Sequence, residues 1–93
     1  MNFMVKQKTS PKNKGKESIS SPSELILHND DINTFDFVIE SLVEVCKHEP
    51  EQAEQCAMIV HYKGKCTVKT APYAELEPMC MELSNRGLSV TIE

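Results

Sequence analysis

The stretch Leu25-Ile26-Leu27-His28-Asn29-Asp30-Asp31-Ile32-Asn33-Thr34-Phe35-Asp36-Phe37-Val38-Ile39 carries, in fifteen residues, a strand, a polar loop and the start of a helix. Leu25, Ile26 and Leu27 form a short apolar run that stops at Asn29-Asp30-Asp31, the pattern of a buried strand entering a loop. Thr34 stands where a helix N-cap is expected, and Asp36 lies in the first turn, where a carboxylate complements the helix dipole. Apolar residues at 35, 38, 39, 42, 45 and 46 then repeat at helical spacing and predict a helix over about Phe35 to His48.

Working C-terminally, Pro50 opens a second helix at a position where its missing N–H costs little, and Gly64 ends it, giving about Pro50 to Tyr62. Cys66, Val68 and Thr70 alternate with Lys65, Thr67 and Lys69, the period of a half-exposed strand. A third helix follows through Leu76, Met79, Cys80 and Leu83 to a stop at Gly87. Pro78 inside it predicts either a kink or a late helix start. Leu88, Val90 and Ile92 alternate with Ser89 and Thr91 as a closing strand. The expected fold is therefore α/β: a small open-faced sandwich in which a three-stranded sheet packs on three helices in the order β-α-α-β-α-β.

N-terminal to this domain the composition changes. Residues 1–23 hold five Lys against Glu17 alone, whereas residues 24–93 hold 5 basic and 13 acidic groups, so the overall −4 is a +4 segment on a −8 body. The first 23 residues, rich in Lys, Ser, Asn and Pro, cannot bury enough apolar area to offset ordering entropy and are expected to be a disordered basic extension. The domain is expected over 24–93. A body so acidic is a poor partner for nucleic acid, which requires clustered Lys and Arg. No apolar run approaches the roughly 20 residues that span a bilayer, and Met1 to Val5 is too short for a signal-peptide core. These features predict a soluble cytoplasmic protein with neither membrane nor nucleic-acid partner. Cys46, Cys56, Cys66 and Cys80 each sit in an apolar pattern without a CxxC pair, which favours reduced core thiols over a disulfide framework or a zinc site.

Polar residues gather in the loop His28-Asn29-Asp30-Asp31 and at His61. As metal ligands they lack any local chelating pair, and no metal or cofactor is expected. Covalent catalysis lacks a placed nucleophile, and Gly15, Gly64 and Gly87 belong to no phosphate-cradling spacing. An Asn carbonyl, a carboxylate and a neutral imidazole are, however, three acceptors, which is what an ammonium group with three donors requires. Beside an apolar cavity they would select a free α-amino group bearing a hydrophobic side chain. On residue types alone the simpler alternative stays open: Asn29 and Asp30 make turn hydrogen bonds, and His61 is a satisfied helix-end histidine.

The run from Leu27 to Ile39, with Val60-His61-Tyr62-Lys63-Gly64-Lys65 beginning 21 positions after Ile39, resembles the ClpS adaptor family. The family pattern is a hydrophobic strand, Asn-Asp-Asp, a helix opening near Glu/Asp-Phe-Val, and a later His-Tyr-x-Gly-Lys. The resemblance implies a non-enzymatic N-end rule adaptor that captures proteins with a bulky hydrophobic N-terminal residue (Leu, Phe, Tyr or Trp) and hands them to the N-terminal domain of a Clp AAA+ ATPase for degradation. It assigns the substrate α-amino group to Asn29, Asp30 and His61, and the side-chain pocket to Leu27, Val38, Val60 and Leu88, with Phe35 at its mouth. The basic extension would correspond to the family's delivery segment. Four positions depart from the common pattern: Phe35 replaces a Met, Ile32 a Tyr, Asn33-Thr34 a Thr-Pro, and Ala57 a Met. Ala57 deepens the expected pocket and Phe35 narrows its mouth. The alternative function class is a helix-docking interaction module resembling the ribosomal stalk C-terminal domain, on fold analogy alone. A metal-dependent enzyme ranks third.

Overall fold

The computed structural model of the protein describes residues 21–93. The expected basic extension therefore lies, apart from its last three residues, outside the described residues. Along the chain run β1 (Pro22–His28), α1 (Phe35–Cys46), α2 (Pro50–Lys63), β2 (Lys65–Pro72), α3 (Tyr73–Asn85) and β3 (Ser89–Ile92), the expected order and number of elements. The sheet is antiparallel throughout, in the order β2-β1-β3. The strand encoded by the most apolar run, β1, is thus the central one, hydrogen-bonded on both edges.

Leu25 and Leu27 of β1, Leu42 of α1, Leu76 and Leu83 of α3 are at most 1% exposed and form the core between the sheet and the helices. Cys46, Cys56 and Ala53 fill the remaining space at α1 and α2.

Local chemistry accounts for the element ends. The Thr34 hydroxyl accepts the Phe37 N–H at 3.1 Å as the N-cap of α1. That helix stops at Cys46, two residues before the expected end, because Lys47 turns left-handed (φ 61°) and releases His48 toward the sheet. His48 is buried and its Nε2–H donates to the Val68 carbonyl at 2.7 Å. Val68 is the residue skipped in the β1–β2 register, where Leu25 opposes Lys69 and Ile26 opposes Thr67. The imidazole thus pins the β-bulge that breaks the regular alternation of β2. Gly64 ends α2 at φ 98°, a conformation costly for residues with a Cβ, and its N–H returns to the Val60 carbonyl at 2.9 Å.

Two further points differ from the sequence reading. Strand β1 begins at Pro22, two residues before Glu24, because Pro22 and Ser23 pair with Pro72 and Ala71. Helix α3 has no late start: it opens at Tyr73 and runs through Pro78. The hydrogen bond lost at Pro78 would have gone to the carbonyl of Ala74, an exposed first-turn residue whose oxygen water can serve. At the other end of α3, Arg86 pairs with Glu44 of α1 at 2.8 Å and with Glu82 at 3.3 Å, fastening the two helices together.

Candidate functional site

Strand β1 delivers its C-terminal end, and the loop after it, to the edge of the helical layer. There a cavity of about 500 Å³ opens between β1, α1, α2 and the start of β3. Leu27, Phe35, Val38, Val60 and Leu88 are among its apolar lining residues. Asn29, Asp30 and His61 line the same cavity. All eight residues singled out in the sequence are therefore brought together, from four separate elements. Leu27, Val60 and Leu88 are buried, and Phe35 is 41% exposed.

The polar rim is held by the backbone. Asn29 N–H donates to the Gly64 carbonyl at 2.9 Å, which fixes the loop after β1 to the turn after α2 and so sets Asn29 and His61 on neighbouring segments. Asp30 Oδ1 accepts the N–H of Ile32 at 2.8 Å and of Asn33 at 2.9 Å, while Oδ2 accepts Asn33 Nδ2 at 2.9 Å. Asn33 Nδ2 also donates to the Gly87 carbonyl at 2.9 Å, bridging the loop to the turn that precedes Leu88. The turn hydrogen bonds expected of Asp30 are thus present, yet a carboxylate offers about four lone-pair sites and three are used. Oδ2 retains room for one more donor.

Desolvation by burial pushes the Asp30 carboxyl up, but the hydrogen bonds from the Asn33 backbone, the Asn33 side chain and the Ile32 backbone outweigh it and hold the group below the usual carboxylate range. Because its folded-state pKa is depressed, its contribution to stability is present above the unfolded value of about 4 and is lost as the pH falls through the lower, folded value. In Asp30→Asn this part of the acid unfolding limb should disappear when unfolding is followed by circular dichroism below about pH 4. An acid limb identical in variant and parent would contradict the assignment.

The cavity also takes in His28 and Asp31 of the polar loop and Ala57, the position expected to deepen the pocket, together with Asn33, Met58 and Tyr62, which were not among the expected site residues. Ala57, Met58, His61 and Tyr62 are related by three and four positions along α2, so helical spacing from His61 would have pointed to them. His28 Nε2 shares a hydrogen bond with Thr91 Oγ1 at 2.8 Å and is engaged on the neighbouring strand. Ile32 is 88% exposed and does not line the cavity. The replacement at positions 33 and 34 has a structural content of its own, because Asn33 makes the bridge to Gly87 and Thr34 caps α1. Among the described residues no group of three or more His, Cys, Asp or Glu side chains is placed to hold a metal ion, and no helix is long and apolar enough to cross a membrane.

With the loop and cavity in place, comparison with known families is decisive: the family described as ATP-dependent Clp protease adaptor protein ClpS matches residues 19–91. This chain belongs to the ClpS family. Among its relatives, the ATP-dependent Clp protease adapter protein ClpS of Nitratidesulfovibrio vulgaris is 43% identical over 53 residues, covering 55% of this chain and 53% of that protein. The ClpS of Erwinia tasmaniensis is 41% identical over 66 residues, covering 67% of this chain and 62% of that protein. The matched region thus spans only 53% and 62% of the lengths of these two relatives. Among solved structures, Agrobacterium tumefaciens ClpS2 bound to L-phenylalaninamide superposes with a TM-score of 0.76 at 22% identity, covering 80% of this chain and 96% of that one. The likeness establishes a ClpS fold, and membership of an adaptor family makes the cavity a candidate for recognition.

Proposed function

We propose that this chain is a non-catalytic adaptor that binds proteins through a bulky hydrophobic N-terminal residue and delivers them to the N-terminal domain of a Clp AAA+ ATPase. The observation that carries the proposal is an apolar cavity with three hydrogen-bond acceptors at its rim. Asn29 Oδ1, the free capacity of Asp30 Oδ2 and a ring nitrogen of His61 match the three donors of an ammonium group. Leu27, Val38, Val60 and Leu88 match an apolar side chain of Leu, Phe, Tyr or Trp. L-phenylalaninamide, the molecule named with the similar ClpS2, joins a free α-amino group to a phenyl ring and is the kind of ligand this rim and wall would take. The −8 charge of residues 24–93 favours approach of a cationic N-terminus.

The two histidines test the reading. His61→Ala removes one acceptor for the ammonium and should weaken binding of a Phe-initiated peptide about tenfold, the equivalent of one hydrogen bond to a charged group. His28→Ala should change it less than about threefold, since that ring is engaged by Thr91. Isothermal titration of both variants decides the matter, and equal losses would remove His61 from the proposed role.

A further inference from the structure

Helix α2 buries Ala53, Cys56, Ala57 and Val60 against the core. Its opposite face is open. There Glu51, Glu54, Gln55, Met58 and Ile59 line a surface groove of about 640 Å³, whose apolar part is Met58 and Ile59, 45% and 44% exposed. Met58 also lines the recognition cavity, so groove and cavity meet at its side chain. Among the described residues none that lines the groove is basic, and the ion pairs engage Glu44 and Glu82 rather than Glu51 and Glu54. The groove thus presents two solvated carboxylates beside an apolar strip, continuous with the place proposed for a substrate's first residue.

We propose that this groove receives the third to fifth residues of a bound substrate and favours Lys or Arg there, an inference that rests on the N-terminal recognition proposed above. A peptide whose α-amino group is held at His61 leaves the cavity past Met58, one turn back along α2. From Met58 the groove runs to Glu51, seven positions earlier in the helix and so about 10 Å away at 1.5 Å per residue. An extended chain covers that length in about three residues. The first residue fills the cavity and the second crosses Met58, which sets the next three over the groove. Lys and Arg suit it because their aliphatic stems lie on Met58 and Ile59 while their charged heads stay in water beside Glu51 and Glu54. Asp or Glu at the same positions faces like charge. Solvated ion pairs are individually weak, so the groove grades substrates that the first residue has already selected.

The test uses the full chain and fluorescent peptides that begin Phe-Ala and continue with three Lys, three Ser or three Glu. By anisotropy the Lys form should bind about fivefold more tightly than the Ser form, and the Glu form about fivefold more weakly. In the double variant Glu51→Gln, Glu54→Gln both ratios should fall below about twofold. Three Lys moved to the ninth to eleventh positions, beyond the reach of the groove, should improve binding to the parent by less than about twofold. Three peptides that bind the parent alike would overturn the proposal and leave recognition of the first residue standing. So would ratios retained by the double variant, or an equal gain from the distant Lys, since both assign the effect to the net charge of the whole domain. Binding of none of the peptides, nor of L-phenylalaninamide, would remove recognition and groove together.

Discussion

A peptide that begins with Phe or Leu should bind at least about 100-fold more tightly than the same peptide acetylated at its N-terminus. Acetylation leaves the apolar side chain unchanged and turns a cationic group with three donors into a neutral amide with one. Two of the acceptors among Asn29, Asp30 and His61 then lose their partner. Each hydrogen bond to a charged group contributes about 1.5–3 kcal/mol, so two lost bonds amount to about 3–6 kcal/mol, or 100-fold and more. The loss should be abrupt rather than graded, since Asp30 is held as a carboxylate by Ile32 and Asn33 and stays charged whether or not an ammonium faces it. Fluorescence anisotropy with the two forms of one peptide measures the ratio. Equal affinities, or no binding by either form, would remove the proposed function.

The largest effect on stability is expected at Leu25. It is fully buried in the central strand, between Lys69 on one edge and Ile92 on the other, and belongs to the main core cluster. Leu25→Ala removes the transfer free energy of most of a side chain and leaves a cavity that a sheet hydrogen-bonded on both edges cannot collapse around, at a cost of about 2–5 kcal/mol. For a domain of this size each kcal/mol lowers Tm by about 4–8 °C, so a drop of at least about 10 °C is expected by differential scanning calorimetry. Total stability in a domain this small is of the order of 5 kcal/mol, and the variant will be partly unfolded at physiological temperature. Ile32→Ala, which touches an 88% exposed side chain, should shift stability by less than about 0.5 kcal/mol. A Leu25→Ala shift below about 5 °C would mean that the core is not organised around β1.

Much of this architecture is written in short-range patterns. The N-cap at Thr34, the stop at Gly64 and the alternation in Ser89–Ile92 depend on neighbours two to four residues apart, and each is found where the sequence predicts it. The misreadings arise where a distant contact overrides the local pattern. Helix α1 ends early because His48 is required at the Val68 carbonyl, 20 residues away. Pro78 is tolerated because the carbonyl it leaves unpaired belongs to Ala74, an exposed residue, a matter of exposure that periodicity does not report. The candidate site was legible for a different reason: Asn29, Asp30 and His61 stand in two motifs whose order and spacing resemble a family. Met58, Tyr62 and Asn33 lie in or beside those motifs, and their place at the cavity depends on how α2 and the loop dock.

The sequence by itself determined the element order, the caps, the acidic charge of the domain and the two motifs that meet at the site, because these are properties of residues close together in the chain. Only the tertiary structure decided that β1 is central and that the Asn33 side chain closes the loop onto Gly87 across 54 positions. Such contacts are set by burying apolar faces of distant elements against one another, a free energy that belongs to the whole domain and to no local stretch of it.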